Sequence, residues 1–171
     1  MSHLVEIPEL ETERLRLRVP LREEFSAYRD LMTGPRGVHI GEYDAQSAWR
    51  EYASDAGHWV LYGYGAWHIL RKDNGDLIGG VGLLNQDFYP EVELGWHLYE
   101  GFEGHGYITE AATAARDWAF QTHGFSTLVS YIDRDNARSI AVAERLGAQE
   151  DPSAQKVDPE DVVFRHLPVF Q

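Results

Sequence analysis

The order of elements along this chain predicts a single α/β (α+β) domain built on a mixed, mostly antiparallel sheet flanked by helices. Three observations carry that reading. The first is the succession itself: a strand, two helices, antiparallel strands, then strand-helix-strand-helix-strand, an alternation that suits helices packed on a sheet. The second is Asp73-Asn74-Gly75-Asp76 between two β-rich runs, a strong hairpin signal. The third is size and composition: 171 residues, 43% hydrophobic and 25% charged, ordinary for one soluble domain with a proper core.

Each element has its own signal. Leu15 to Val19 alternates like a half-buried strand, and Pro20 ends it. From Arg22, the apolar positions Phe25, Tyr28, Leu31 and Met32 follow a helical stripe that Gly34-Pro35 stops. Ala45, Ala48, Trp49 and Tyr52 suggest a second helix. Tyr64–Leu70 and Leu77–Leu84 are the hairpin strands, and Glu91–Leu98 is a further strand. A helix over Thr109–Thr122 closes at His123-Gly124. The strand Thr127–Ile132 leads through the polar corner Asp133-Arg134-Asp135-Asn136 to a helix, Ala137–Leu146, which Gly147 ends. Val162–Leu167 is the last β-rich run. No repeat, low-complexity stretch or linker divides residues 1–171.

Composition removes several function classes. The net charge is −13, from 28 acidic against 15 basic residues, which repels nucleic acid and anionic membranes and favours cationic partners. Arg14, Arg16 and Arg18 alternate with Leu15, Leu17 and Val19, the pattern of one solvated strand face. No apolar run approaches the roughly twenty residues of a membrane span. Met1-Ser2-His3-Leu4-Val5-Glu6 lacks the basic and apolar regions of a signal peptide, and there are no cysteines. Both features fit a cytoplasmic setting. The eight histidines show no His-Glu-x-x-His and no paired ligand spacing, so no metal is expected.

The most informative stretch is Glu103-Gly104-His105-Gly106-Tyr107-Ile108-Thr109-Glu110-Ala111. A strand runs into two glycines one residue apart, and an alanine-rich helix starts at once. Glycines let the backbone turn several N–H groups towards one point, and the helix start adds unpaired donors and a positive dipole end. Together they make an anion site, most often for phosphate. A P-loop is excluded, because neither Lys72 nor Lys156 follows a glycine. A dinucleotide fingerprint lacks its third glycine, since position 109 is Thr.

With its flanking segments, this loop resembles the GNAT superfamily of acetyl-coenzyme A-dependent N-acetyltransferases, and within it the ribosomal-protein N-terminal acetyltransferases. Four landmarks stand in the family's order across residues 10–148: Leu10-Glu11-Thr12-Glu13-Arg14-Leu15-Arg16-Leu17-Arg18, Glu93-Leu94-Gly95-Trp96, Gly104 to Ala111, and Asn136-Ala137-Arg138-Ser139 with Ala143 to Ala148. The resemblance implies a sheet splayed between Glu91–Leu98 and Thr127–Ile132, with pantetheine in the gap. It implies the pyrophosphate on Gly104, His105, Gly106, Tyr107, Ile108 and Thr109. It further implies a backbone N–H around His97 and Leu98 that polarises the thioester, and Asn136 on the pantetheine arm. Two positions depart from the family loop: Glu103 stands where Gln or Arg is usual, and Ile108 where Gly or Ala is. Two unit charges about 4 Å apart in water cost only about 1 kcal/mol, so Glu103 could weaken cofactor binding without abolishing it.

Acyl transfer to an amine needs a base, donors for the developing oxyanion and an acid for the leaving thiolate. Glu93 is the candidate base, directly or through a water, because its alternation with Val92 and Leu94 turns it to the opposite face. His97, His58 and His68 are the alternatives. Asn136 and Ser139 lie three apart at a helix start, where Asn136 also makes a good N-cap. By resemblance Ser139 is placed to protonate the thiolate. The tyrosine that many members use is absent, since no tyrosine follows Tyr131, so bulk water is the other acid.

The first part of the chain is rich in aromatics (Phe25, Tyr28, Trp49, Tyr52, Trp59, Tyr62, Tyr64, Trp67), which with acidic residues suit a cationic amine. The expected activity is therefore transfer of acetyl from acetyl-coenzyme A to a primary amine, a protein N-terminus or a small molecule, by a monomer or homodimer. A non-catalytic coenzyme A-binding module is the alternative, and generic phosphate binding a third reading.

Overall fold

The computed structural model describes residues 5–168; the first four and the last three residues of the sequence, and with them most of the N-terminal stretch read above for a signal peptide, lie outside the described residues. Eight strands form one sheet in the order β1-β2-β3-β4-β5-β6-β8-β7. In chain order they are β1 (Leu10–Glu11), β2 (Leu15–Arg18), β3 (Ala66–Arg71), β4 (Leu77–Leu84), β5 (Glu93–Leu98), β6 (Leu128–Asp133), β7 (Gln149–Glu150) and β8 (Asp161–His166). The helices are α1 (Phe25–Met32), α2 (Ala45–Tyr62), α3 (Tyr107–Trp118) and α4 (Ala137–Arg145). All neighbouring strands are antiparallel except β5 and β6. The single-domain mixed sheet expected from the sequence is the one observed.

Local chemistry sets the boundaries. Asp44 caps α2 by accepting from the Ser47 N–H at 2.7 Å, and Gly63, left-handed at φ 74°, ends it. Gly106 opens α3 two residues earlier than the Thr109 start predicted, because its own φ of 76° begins the turn. Asn136 caps α4 by accepting from the Ser139 N–H at 3.2 Å. The short edge strands β1 and β7 carry two residues each, too few for a period to be legible.

The main core lies between α3 and the sheet: Ala111, Ala112 and Ala115 are fully buried against Leu15, Leu17, Trp67, Ile69, Leu83 and Leu94. Alanines on that stripe let the helix backbone approach the strands closely. The other sheet face meets α1 and the start of α2, where Tyr28 packs on His97 and Tyr52 on His68. Of the three alternating arginines, only Arg16 fits a solvated face. Arg18 is largely covered and bonds Glu24 at 3.0 Å, and Arg14 turns to the glycine loop.

Strand β4 carries Gly79, Gly80 and Gly82, which is costly in a strand unless another group needs the room. A Cβ on Gly79 would run into the His97 carbonyl oxygen, and one on Gly80 into the His97 imidazole. Gly79→Ala is thus expected to destabilise the fold by about 1–3 kcal/mol, the usual range for overpacking, read by urea denaturation. An unchanged midpoint would mean that β5 can move away.

Candidate active site

The site is made by a failure of pairing. Strands β5 and β6 share a single register pair, Glu93 with Val129, closed by the Val129 N–H donating to the Val92 carbonyl at 3.1 Å. Beyond it they diverge, and the Ser130 hydroxyl reaches across to the Leu94 carbonyl at 2.6 Å. The Tyr99 N–H bonds the Ile78 carbonyl, so the N–H and C=O groups of Glu93, Gly95 and His97 turn to β4. Those of Trp96 and Leu98 turn to the gap by alternation. The expectation of a polarising N–H around His97–Leu98 narrows accordingly: His97's is turned to β4, and the gap-facing amide is that of Leu98. Trp96, not anticipated, offers a second.

Two cavities border this gap. One, of about 1200 Å³, is lined by Gly104 to Thr109, by Leu98 and by the α4 start, including Asn136 and Ser139. The other, of about 640 Å³, is lined by Glu93, His97, Tyr28, Gly80 and Gly82. Trp96, His97, Asn136 and Ser139 border both, and so mark where the cavities meet.

The glycine loop has the backbone geometry of an anion cradle. Gly104 and Gly106 hold φ of 80° and 76°, angles that side chains resist. A Cβ on Gly104 would meet nothing within 4 Å, so backbone angle rather than crowding requires glycine there. Among the described residues no backbone acceptor takes the N–H of Gly104, His105 or Gly106 outside regular elements. The first three amides of α3, on Tyr107, Ile108 and Thr109, are free by helix geometry. Arg14 pins the loop from the opening strand: it bonds the His105 carbonyl at 3.0 Å and Glu110 at 2.7 Å, and stacks over Tyr107. Thr12 holds the same Glu110 carboxylate at 2.5 Å.

Glu103 does not face this cradle as a bare charge. Arg36 pairs with it, and the Gly101 N–H donates to it at 2.9 Å. Burial would raise its carboxyl, but backbone donors and Arg36 hold it below the usual range. Arg36, Arg138 and Arg145 all line this cavity, so a strongly acidic protein presents a locally cationic mouth here. Ile108 is 7% exposed and packs in the main core, leaving only its backbone towards the loop.

The second cavity has the opposite character. Glu93 bends over Gly95 on the face that also bears His97. Burial pushes its carboxyl up to about 8, aided by the charges of Asp161 and Glu51, against the pull of the Tyr131 backbone and the Tyr89 hydroxyl. Burial drives His97 the other way, to about 3, so its ring is neutral and a very weak base. His58 is held by the Ser54 carbonyl at 2.7 Å and the Asn85 N–H at 3.1 Å, and His68 by Glu24 at 2.7 Å. Both are buried structural groups outside the cavities.

Of the aromatics singled out in the sequence, only Tyr28 lines this cavity; the others serve the core or the surface. Tyr43, Phe88, Tyr89, Trp96 and Tyr131 supply its remaining aromatic walls. Sequence reasoning also missed Glu51 and Asp55. A signal existed for the second: Ala48, Tyr52, Asp55 and Trp59 form the buried stripe of α2, and a carboxylate on such a stripe is out of place.

Comparison with known proteins agrees with this geometry. Residues 14–149 match the model of the Acetyltransferase (GNAT) domain. The chain is 46% identical to an acetyltransferase of Agrobacterium tumefaciens of known structure, with a TM-score of 0.93 over 98% of this chain and 99% of that one. It is 31% identical to Bacillus subtilis YkkB over 60% of this chain; the match spans only 61% of that relative. The ribosomal-protein-S5-alanine acetyltransferase of Vibrio fischeri, at 16% identity over 94% of this chain and 97% of that one, shares the fold with a TM-score of 0.72.

Proposed function

Because the chain belongs to the GNAT acetyltransferase family, we propose that it transfers acetyl from acetyl-coenzyme A to a primary amine by direct attack in a ternary complex. The observation that carries this reading is the meeting of an anion-binding cavity and an acidic cavity at the β5–β6 gap. Acetyl-coenzyme A would supply an activated thioester there. The residues present suit it: amides of Gly104 to Thr109 for the pyrophosphate, Arg36, Arg138 and Arg145 for further negative charge, Asn136 and the gap edge of β5 for the pantetheine.

The chain's own residues then divide the work. Glu93 receives the proton that an ammonium acceptor must lose before its nitrogen has a lone pair. The Leu98 N–H polarises the carbonyl from the gap edge, where a fixed donor in a dry site is most effective. Ser139 gives a proton to the departing sulfur, or leaves that to solvent. His97 packs on Tyr28 and presents a neutral ring to the acceptor side.

Thiol release from acetyl-coenzyme A with a panel of primary amines tests the reading, and separates it from a module that binds coenzyme A without turnover. Amine-dependent release is expected, undiminished by EDTA. Tight binding without release by any amine would favour the non-catalytic module, and activity lost in EDTA and restored by zinc would reverse the metal-free expectation.

A further inference from the structure

The acceptor cavity holds more carboxyl groups than one general base requires. Glu51 and Asp55 stand one turn apart on α2 and both line it with Glu93. Asp55 is only 9% exposed, and its Oδ1 is buried with no hydrogen-bond partner. A buried carboxyl oxygen left unpaired is expensive, which marks it as a place for a partner that the protein itself does not supply. Glu51 is half satisfied: Gln86 donates to its Oε1 at 2.7 Å.

Among the described residues that line the cavity, no cationic side chain answers these groups. No lysine lines the cavity, and its one arginine, Arg134, is engaged with Glu160 through a 2.9 Å bond to the carbonyl and a 3.5 Å ion pair. His39 is held by Asp133 at 2.6 Å, and His97 is neutral. Burial raises both Glu51 and Asp55, Glu51 against the pull of Gln86 and His58, and the charges of Glu51 and Glu93 push Asp55 further; a cation entering the cluster would favour their ionised forms. For the same reason an acceptor's carboxylate would find no partner here. Tyr28, Tyr43 and Tyr89 stand among these carboxylates and offer aromatic surface to a methylene chain or a cation.

We propose that the acceptor bears a second protonated nitrogen beyond the one acetylated, bound by Asp55 together with Glu51, which makes the substrate class a small aliphatic di- or polyamine. The proposal rests on the acetyl-transfer reading only for which end of the molecule reacts. One nitrogen lies by Glu93 and loses its proton; the other stays charged at Asp55.

Calorimetric titration of the full chain with 1,5-diaminopentane and, separately, 1-aminopentane tests this without relying on turnover. The two probes match in length and differ in one cation. The wild type is expected to bind the diamine at least about tenfold more tightly, in line with a buried charge-assisted contact. Asp55→Asn, which keeps the shape, should bring the two affinities within about threefold of each other. Should that variant fail to fold, Glu51→Gln is expected to narrow the same ratio. Equal affinities in the wild type, binding of neither probe, or a ratio untouched by the substitutions would overturn the proposal. Thiol release is read separately and reports only on acetyl transfer.

Discussion

Glu93→Gln is expected to lower kcat roughly 10²- to 10⁴-fold, the usual span for loss of a general base, while acetyl-coenzyme A affinity stays near wild type. The carboxyl lines the smaller cavity and not the one that holds the glycine loop. With its pKa raised to about 8, the carboxyl is mostly protonated at neutral pH. Wild-type kcat/KM should therefore climb about tenfold per unit up to that value, then flatten. The variant should lose this limb and recover partly at high pH, where free amine is already present. A limb that instead follows each acceptor's own pKa as amines are exchanged would place the base elsewhere.

The same shift fixes a stability control. A carboxyl whose folded pKa is raised from 4.5 to about 8 favours the fold while protonated, and that contribution is lost as pH rises through this window. Glu93→Gln, which cannot ionise, should thus gain stability relative to wild type between those values, by thermal melting. A kcat loss in a variant that melts no lower cannot be ascribed to unfolding.

The second large effect belongs to the loop. Gly106→Val should weaken acetyl-coenzyme A at least about tenfold, because a left-handed angle of 76° costs an L residue about 1–2 kcal/mol, more with a branched Cβ. Relief of that strain turns the amides away from a common point. The fold should survive, since the nearest atom to an added Cβ is the flexible tip of Arg14 at 3.8 Å. Unchanged affinity in calorimetry would remove the loop from the binding site.

Much of this architecture was legible because it rests on local rules. The hairpin at Asn74-Gly75, the Asn136 cap and the glycine loop all follow from backbone preferences that a short window reveals. Glu93 was legible by alternation alone. What stayed hidden depends on contacts distant in sequence. Arg36 neutralises Glu103 across more than sixty positions, and nothing around Gly34-Pro35 announces it. Arg14 reads as surface in its strand and becomes a brace only when α3 arrives with Glu110. Which of His97 and Leu98 turns its amide to the gap is a matter of ladder parity, invisible until β4 is in register. Asp55 and the β4 glycines carried real signals, a charge on a buried stripe and three gaps in a strand, whose meaning required the partner surface.

A crystal structure of the protein with coenzyme A tests the central claim most directly. The account predicts the pantetheine along the Trp96–Leu98 edge between β5 and β6, and the pyrophosphate within hydrogen-bonding reach of the Gly104 to Thr109 amides. Coenzyme A bound outside the gap, or a pyrophosphate held away from that loop, would contradict it.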